Sequence, residues 1–189
     1  MVWSAVLKRL FDLALLPILV MCFCIALCVI VVLNPFFNPG PLFYKQTRVG
    51  RFGREFVMVK FRSIQGDGAM SRPAEFMRKT RVDELPQIWN VLKGEMSLIG
   101  PRPERPELVK DYMRSLPHYT ERLLMRPGIS GLAQLRVGYT QNLPGAGAKL
   151  VWDLYYIRHY SIALDIHILV QTASVVFSHL FKRPIQSAL

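Results

Sequence analysis

A mostly helical α+β fold is predicted by three observations. Residues 10–33 form an almost unbroken apolar run, interrupted by Asp12 and carrying Pro17. Two short segments rich in aromatic and β-branched residues flank the turn-rich Gly50-Arg51-Phe52-Gly53, the pattern of a small β-hairpin. Elsewhere apolar residues recur at helical spacing, ending in a long stretch from Ile162 to Phe181.

The apolar run is long enough, at ~1.5 Å per residue, to cross a hydrocarbon core of ~30 Å. Length alone therefore suits a spanning helix. The flanks suit another topology. Lys8 and Arg9 precede the run, and Lys45, Arg48, Arg51 and Arg54 follow it. Positive residues mark the cytoplasmic side, so basic flanks at both ends predict a re-entrant helix that returns to the face it entered. Pro17 supplies a break, and Asp12 can pair with Lys8 or Arg9 rather than sit alone in lipid. The expected division is residues 1–36 as a membrane-embedded helix and residues 37–189 as a catalytic domain on the cytoplasmic face. No small-residue cleavage site follows the run, which argues against a cleaved signal peptide.

Composition agrees with this division. Of 189 residues, 51% are hydrophobic, and 24 basic against 13 acidic residues give a net charge of +11. That balance suits a protein held on an anionic membrane and handling phosphorylated ligands. Nucleic acid is excluded as a partner, because no helix-turn-helix, zinc or RNA-binding aromatic signature accompanies the charge. Cys22, Cys24 and Cys28 all lie in the apolar run, in odd number, which argues against a disulfide framework or a zinc site.

Residues 42–46 and 55–62 are the expected strands, and residues 65–68 a loop. After them, Asp83-Glu84 stand just before Leu85-Pro86, and proline fits the first turn of a helix. Leu85, Ile88, Trp89 and Leu92 then share a helical face, with Gly94 as the stop. The two acids therefore lie at a helix start, where free N–H groups and partial positive charge favour phosphate. Arg102 follows in a rigid Gly-Pro-Arg-Pro turn, which suits presentation of a guanidinium fork to an anion. On residue types alone, a capped helix followed by a proline-rich loop explains the stretch equally well.

The stretch RKTRVDELPQIWNVLKGEMSLIGPRPE, residues 78–104, resembles the signature of the bacterial sugar transferase family, the monotopic phosphoglycosyl transferases, whose hallmark is the Asp-Glu pair. Lys60-Phe61-Arg62 is similar to a second family element, and Asp153-Leu154-Tyr155-Tyr156 to a third. Residues 126–134, RPGISGLAQ, are similar to a fourth, with Ser130 and Leu132 standing where the family has threonine and tryptophan. The resemblance implies a re-entrant membrane helix and interfacial amphipathic helices around a cytoplasmic active site, in the bacterial inner membrane. It implies Asp83 and Glu84 as catalytic residues and Mg²⁺ ligands, and Lys60, Arg78, Arg102, Pro103, Arg126 and Asp153 as substrate-binding residues. The implied reaction moves a sugar-1-phosphate from a UDP-sugar to polyprenol phosphate, with Mg²⁺, through an aspartyl intermediate that releases UMP. Downstream glycosyltransferases would take the product. Direct displacement without an intermediate and a non-enzymatic basic membrane adaptor are the other two readings.

Overall fold

The computed structural model describes residues 2–64, 68, 70–138 and 142–181. Apart from Gly68, the loop expected at residues 65–68 lies outside them. The apolar run folds as helix α1 (Val2–Phe37), which continues through Pro17 and Pro35. The break expected at Pro17 does not interrupt it, since the lost N–H costs one hydrogen bond in a helix of 36 residues. From Val6 to Phe37 the helix is long and apolar enough to cross a membrane.

Both halves of α1 nevertheless rest on the remainder of the protein. Near its start, Arg9 donates to the carbonyls of Val91 and Leu92 at 2.6 and 2.9 Å. Asp12 accepts from Ser97 Oγ at 3.0 Å and from the Leu98 amide at 3.1 Å. In the middle, Phe23 stacks on Phe61 with ring centroids 5.7 Å apart. Beyond its end, Asn38 donates to the carbonyl of Arg62 at 2.6 Å.

The hairpin forms as expected. Strand β1 (Phe43–Val49) pairs antiparallel with β2 (Glu55–Phe61) over seven residue pairs, from Phe43↔Phe61 to Val49↔Glu55. Phe56, Met58 and Lys60 share one face of β2, because side chains alternate along a strand. Phe56 and Met58 are buried in the main core, so Lys60 points inward with them instead of standing on a solvated edge.

Helix α2 (Arg72–Lys79) starts on Ser71, whose hydroxyl accepts from the Ala74 amide. A 3₁₀ turn, Val82–Gln87, then carries Asp83 and Glu84 in its first turn and leads into α3 (Ile88–Lys93), which Gly94 closes at φ +78°. The apolar face expected for this segment is only partly realised. Ile88 is buried, whereas Trp89 is 56% and Leu92 43% exposed. The reason is the 3₁₀ turn, whose three-residue period puts a pattern counted at 3.6 out of phase. Gln87, Asn90 and Val91 fill the interior instead.

One pairing is not visible in the sequence pattern. Strands β3 (Ser97–Ile99) and β4 (Gly128–Ser130) run parallel and bring the two glycine-proline motifs together. The Gly100 amide donates to the Ser130 carbonyl, and the Gly128 amide to the Pro101 carbonyl, each at 2.9 Å. A Cβ on Gly128 would lie 2.1 Å from the Gly100 nitrogen, so glycine is required by the closeness of the crossing.

Helices α4 (Pro106–Ser115), α5 (Leu132–Val137), α6 (Leu143–Arg158) and α7 (Ile162–Phe181) follow. Leu132, in the position of the family tryptophan, is buried in the core. In α6, Tyr156 is buried while the adjacent Tyr155 is exposed, so the two tyrosines face core and surface respectively. Asp165 of α7 is fully buried, not solvated as an interfacial polar residue would be. Lys8 meets its Oδ2 at 2.7 Å and the Tyr156 hydroxyl donates to its Oδ1 at 2.6 Å.

Candidate active site

A cavity of about 800 Å³ opens between the hairpin, the 3₁₀ turn and α6. Among the described residues, eight cationic side chains line it: Arg48, Lys60, Arg62, Arg78, Arg81, Arg102, Arg122 and Lys149. Three carboxylates of the described residues oppose them, Asp83, Glu104 and Asp153. So large an excess of positive charge favours a ligand with several negative charges, such as a diphosphate.

Asp83 and Glu84, adjacent in the chain, occupy different environments. Asp83 lines the cavity, and among the described residues its Oδ1 has no hydrogen-bond partner. Glu84 is buried beneath, 3% exposed, and is gripped by cations. Its Oε1 receives Arg102 at 2.6 Å and Lys60 at 2.9 Å, and Arg81 lies 3.4 Å from Oε2. Arg81 supplies the bend into this turn, as a non-glycine residue at φ +59°, a conformation costing ~1–3 kcal/mol that the surrounding contacts must hold.

The titration behaviour follows from these contacts. Burial, then the neighbouring Glu84 carboxylate, push the Asp83 carboxyl up to about 6, against the pull of Lys60, Arg102 and Arg78. Burial also opposes ionisation of Glu84, but Arg102, Lys60 and Arg81 together outweigh it and hold that carboxyl well below the usual range. Lys60 is lowered from its ordinary value, chiefly by burial and with Arg102 adding to it. One carboxylate is thus committed to organising cations, and the other is poised near neutrality.

Of the residues expected at the site, Asp83, Lys60, Arg78, Arg102 and Asp153 line the cavity and Glu84 lies under it. Pro103 does not line it; the proline is buried and its carbonyl accepts from Arg48 at 3.1 Å, holding the turn that carries Arg102. Arg126 is turned elsewhere. Its Nε donates to the Gly94 carbonyl at 2.9 Å, and the side chain borders a separate cleft.

Asp153 lies on the cavity wall, paired with a residue that sequence reasoning missed. Arg122 Nη2 meets its Oδ2 at 2.8 Å, with both side chains buried. The same guanidinium donates to the Arg102 carbonyl at 2.9 Å and to the Tyr119 hydroxyl at 2.6 Å. Gln134 was missed as well: its Oε1 lies 3.2 Å from Arg102 and 3.5 Å from Arg81, so one amide oxygen serves both arginines. Gln134 ends the RPGISGLAQ block, which was its signal. Arg122 had no such signal, because its partner lies 31 residues away.

The donor set bears on Mg²⁺. Asp83 offers a carboxylate oxygen buried at the cavity wall and without a partner among the described residues, and Mg²⁺ commonly takes one or two carboxylates with substrate phosphates and water. Both oxygens of Glu84 are already engaged by cations, so the metal role expected for that residue has no open oxygen here.

A family model described as bacterial sugar transferase matches residues 3–179. The chain belongs to the bacterial sugar transferase family. It is 41% identical over 154 residues to the UDP-N-acetylgalactosamine-undecaprenyl-phosphate N-acetylgalactosaminephosphotransferase of Aeromonas hydrophila, covering 75% of this chain and 36% of that protein. It is similarly 41% identical over 152 residues to the UDP-glucose:undecaprenyl-phosphate glucose-1-phosphate transferase of Xanthomonas campestris pv. campestris, covering 72% of this chain and 31% of that protein. A relative of its own size is the exopolysaccharide production protein PSS of Rhizobium leguminosarum bv. phaseoli, 36% identical over 189 residues, 88% of this chain and 93% of the relative. This family member thus spans about a third of the length of the first two relatives. The Asp83–Glu84 turn and its cations fall within the matched segment.

Proposed function

We propose that the protein transfers a sugar-1-phosphate from a UDP-sugar to undecaprenyl phosphate, through a covalent intermediate on Asp83. The observation that carries this reading is the division of labour between the paired acids. Asp83 faces a cationic cavity with a carboxylate oxygen unengaged, while Glu84 neutralises the lysine and arginines beneath it.

Asp83 would attack the β-phosphorus of the donor, forming an acyl phosphate as the bond to the bridging oxygen breaks and UMP leaves. The phosphate of the lipid acceptor then attacks the same phosphorus, the Asp83 oxygen departs as carboxylate, and a lipid-linked sugar diphosphate results. Arg102, Lys60 and Arg81, set in place by Glu84 and Gln134, meet the developing charge. Arg122, held by Asp153, fixes the loop that carries Arg102. Mg²⁺ bound by Asp83 and the donor pyrophosphate would neutralise further negative charge.

The membrane component of the proposal rests on α1. Its 36 residues extend about 54 Å at ~1.5 Å each. Lys8, Arg9 and Asp12 near one end and Asn34 and Asn38 near the other all bond to residues outside the helix. A helix standing across a bilayer would leave one end ~30 Å from the domain. Contacts at both ends support a helix that would bend at Pro17 without losing its continuity, dip into one leaflet and keep its ends on the cytoplasmic face of the inner membrane, with α7 beside it at the interface.

The direct test is intact-mass analysis of detergent-purified protein with Mg²⁺ and single UDP-sugars, without lipid acceptor. An adduct of one sugar-phosphate, absent in Asp83→Asn, is the expected result. UMP release only after polyprenol phosphate is added, with no adduct at any time, would replace the intermediate by direct displacement. Neither signal across a broad donor panel would leave the adaptor reading.

A further inference from the structure

We propose that a second cleft, beside the hairpin turn, binds the phosphate headgroup of an anionic membrane lipid. The cleft encloses about 370 Å³ and, among the described residues, shares no lining side chain with the Asp83 cavity. Arg51, Arg54, Lys93 and Arg126 line it against two acids, Glu55 and Glu95. One of those acids is already engaged, since Glu95 Oε2 accepts the Asn90 amide at 2.7 Å. Backbone carbonyls orient the two inner arginines: Arg51 Nε donates to Leu124 and Arg126 Nε to Gly94, each at 2.9 Å. Burial and the nearby Arg126 both disfavour the charged form of Arg51, and an anion between them would relieve that repulsion.

The surroundings point to lipid as the source of the anion. The cleft adjoins the start of α1, where Arg9 bonds to the carbonyls of Val91 and Leu92 just before Lys93. Val6, Leu7 and Leu10 around Arg9 are exposed, as are Trp89 and Leu92 on α3. Lys93 sits over the Trp89 ring, 5.6 Å from its centroid. Phe52, held at φ +59° on the turn, is 62% exposed at the edge of the cleft. Exposed tryptophan and phenylalanine beside clustered arginine and lysine, next to an apolar helix, form an interfacial anchor for anionic lipid. The inference rests on the reading of α1 as membrane-embedded.

The test is native mass spectrometry of the full chain in detergent, titrated with phosphatidylglycerol or phosphatidylcholine. Preferential retention of phosphatidylglycerol is expected. The double variant Arg54→Gln/Lys93→Gln, which removes the two exposed cations and leaves the carbonyl-bonded arginines, should weaken that retention by about tenfold or more. Lys110→Gln/Arg114→Gln on α4, with the same loss of charge at exposed positions that do not line the cleft, should leave it unchanged. Equal weakening by both double variants, or equal retention of the two lipids, would overturn the site. Full displacement by millimolar inorganic phosphate would reassign it to a free anion. A chain that stays monodisperse without detergent would instead overturn the membrane reading of α1, a result separable from loss of headgroup preference.

Discussion

Asp83 and Glu84 share a backbone turn yet respond to pH in opposite ways, and each response is measurable. With its carboxyl pushed up to about 6, Asp83 would act as the proposed attacking carboxylate chiefly above that pH. The rate of adduct formation should therefore rise about tenfold per unit up to pH 6 and level off above it. A rate independent of pH between 5 and 7 would separate the attacking group from Asp83. The same shift affects folding. The folded state binds the Asp83 proton more tightly than the unfolded chain, so ionisation costs stability progressively from the ordinary 3.8 to about 6 and in full above it. At ~1.36 kcal/mol per unit that amounts to about 3 kcal/mol. Asp83→Asn should accordingly be inactive yet more stable than the parent by about 1–3 kcal/mol at pH 7, a gain that fades below pH 4. Glu84 has the reverse sign, because its depressed carboxyl contributes stability above the ordinary carboxylate range, lost as pH falls through its low folded value. Glu84→Gln leaves Lys60 and Arg102 buried without their counter-charge and should destabilise by about 3–5 kcal/mol. Thermal unfolding of the two variants in the same detergent should bracket the parent.

At the scale of elements, the active turn depends on the parallel β3–β4 crossing, which sets the Gly-Pro-Arg-Pro loop against the Arg-Pro-Gly loop. Three glycines make it possible. A Cβ on Gly100 would lie 2.5 Å from the Arg126 carbonyl, and one on Gly131 2.2 Å from the Gly100 carbonyl. Gly128→Ala, with its 2.1 Å approach, forces backbone apart. It should destabilise by more than the ~1–3 kcal/mol of an ordinary overpacked core, with a parallel loss of activity as Arg102 is displaced. An unfolding midpoint like that of the parent would contradict the crossing. This pairing marks where sequence reading stopped. The hairpin, the acid-bearing turn and α7 could be read because their signals are local: alternation, a proline after two acids, a long apolar period. Strands β3 and β4 have three residues each, too short for any period, and they meet only in three dimensions. Arg122 was missed for the same reason, whereas Lys60 and Arg102 could be found because both lie within motifs that resemble those of the family.

For the whole molecule, the proposed return of α1 to the side it left is open to direct test. Replacing Cys22, Cys24 and Cys28 with serine and introducing Val6→Cys or Phe36→Cys gives one thiol near each end of the helix. In inverted membrane vesicles, which expose the cytoplasmic face, a membrane-impermeant maleimide should label both; in intact spheroplasts it should label neither. Labelling of opposite ends from opposite sides would establish a spanning helix and overturn the re-entrant topology proposed for α1. The sequence carried the topology argument in its basic flanks, but it held no hint that Lys8 would be buried against Asp165 and Tyr156.

That buried triad has a consequence for how the protein is made. Lys8 and Asp165 are 157 residues apart in the chain, and at ~5–20 residues per second their syntheses are separated by about 8–30 s. For most of that interval the residues of α1 have been made while the carboxylate that will bury its lysine does not yet exist. Lys8 must wait in water or among lipid headgroups, so α1 reaches its final seat only after translation of α7, and a nascent chain truncated before Asp165 would hold the helix without its lock.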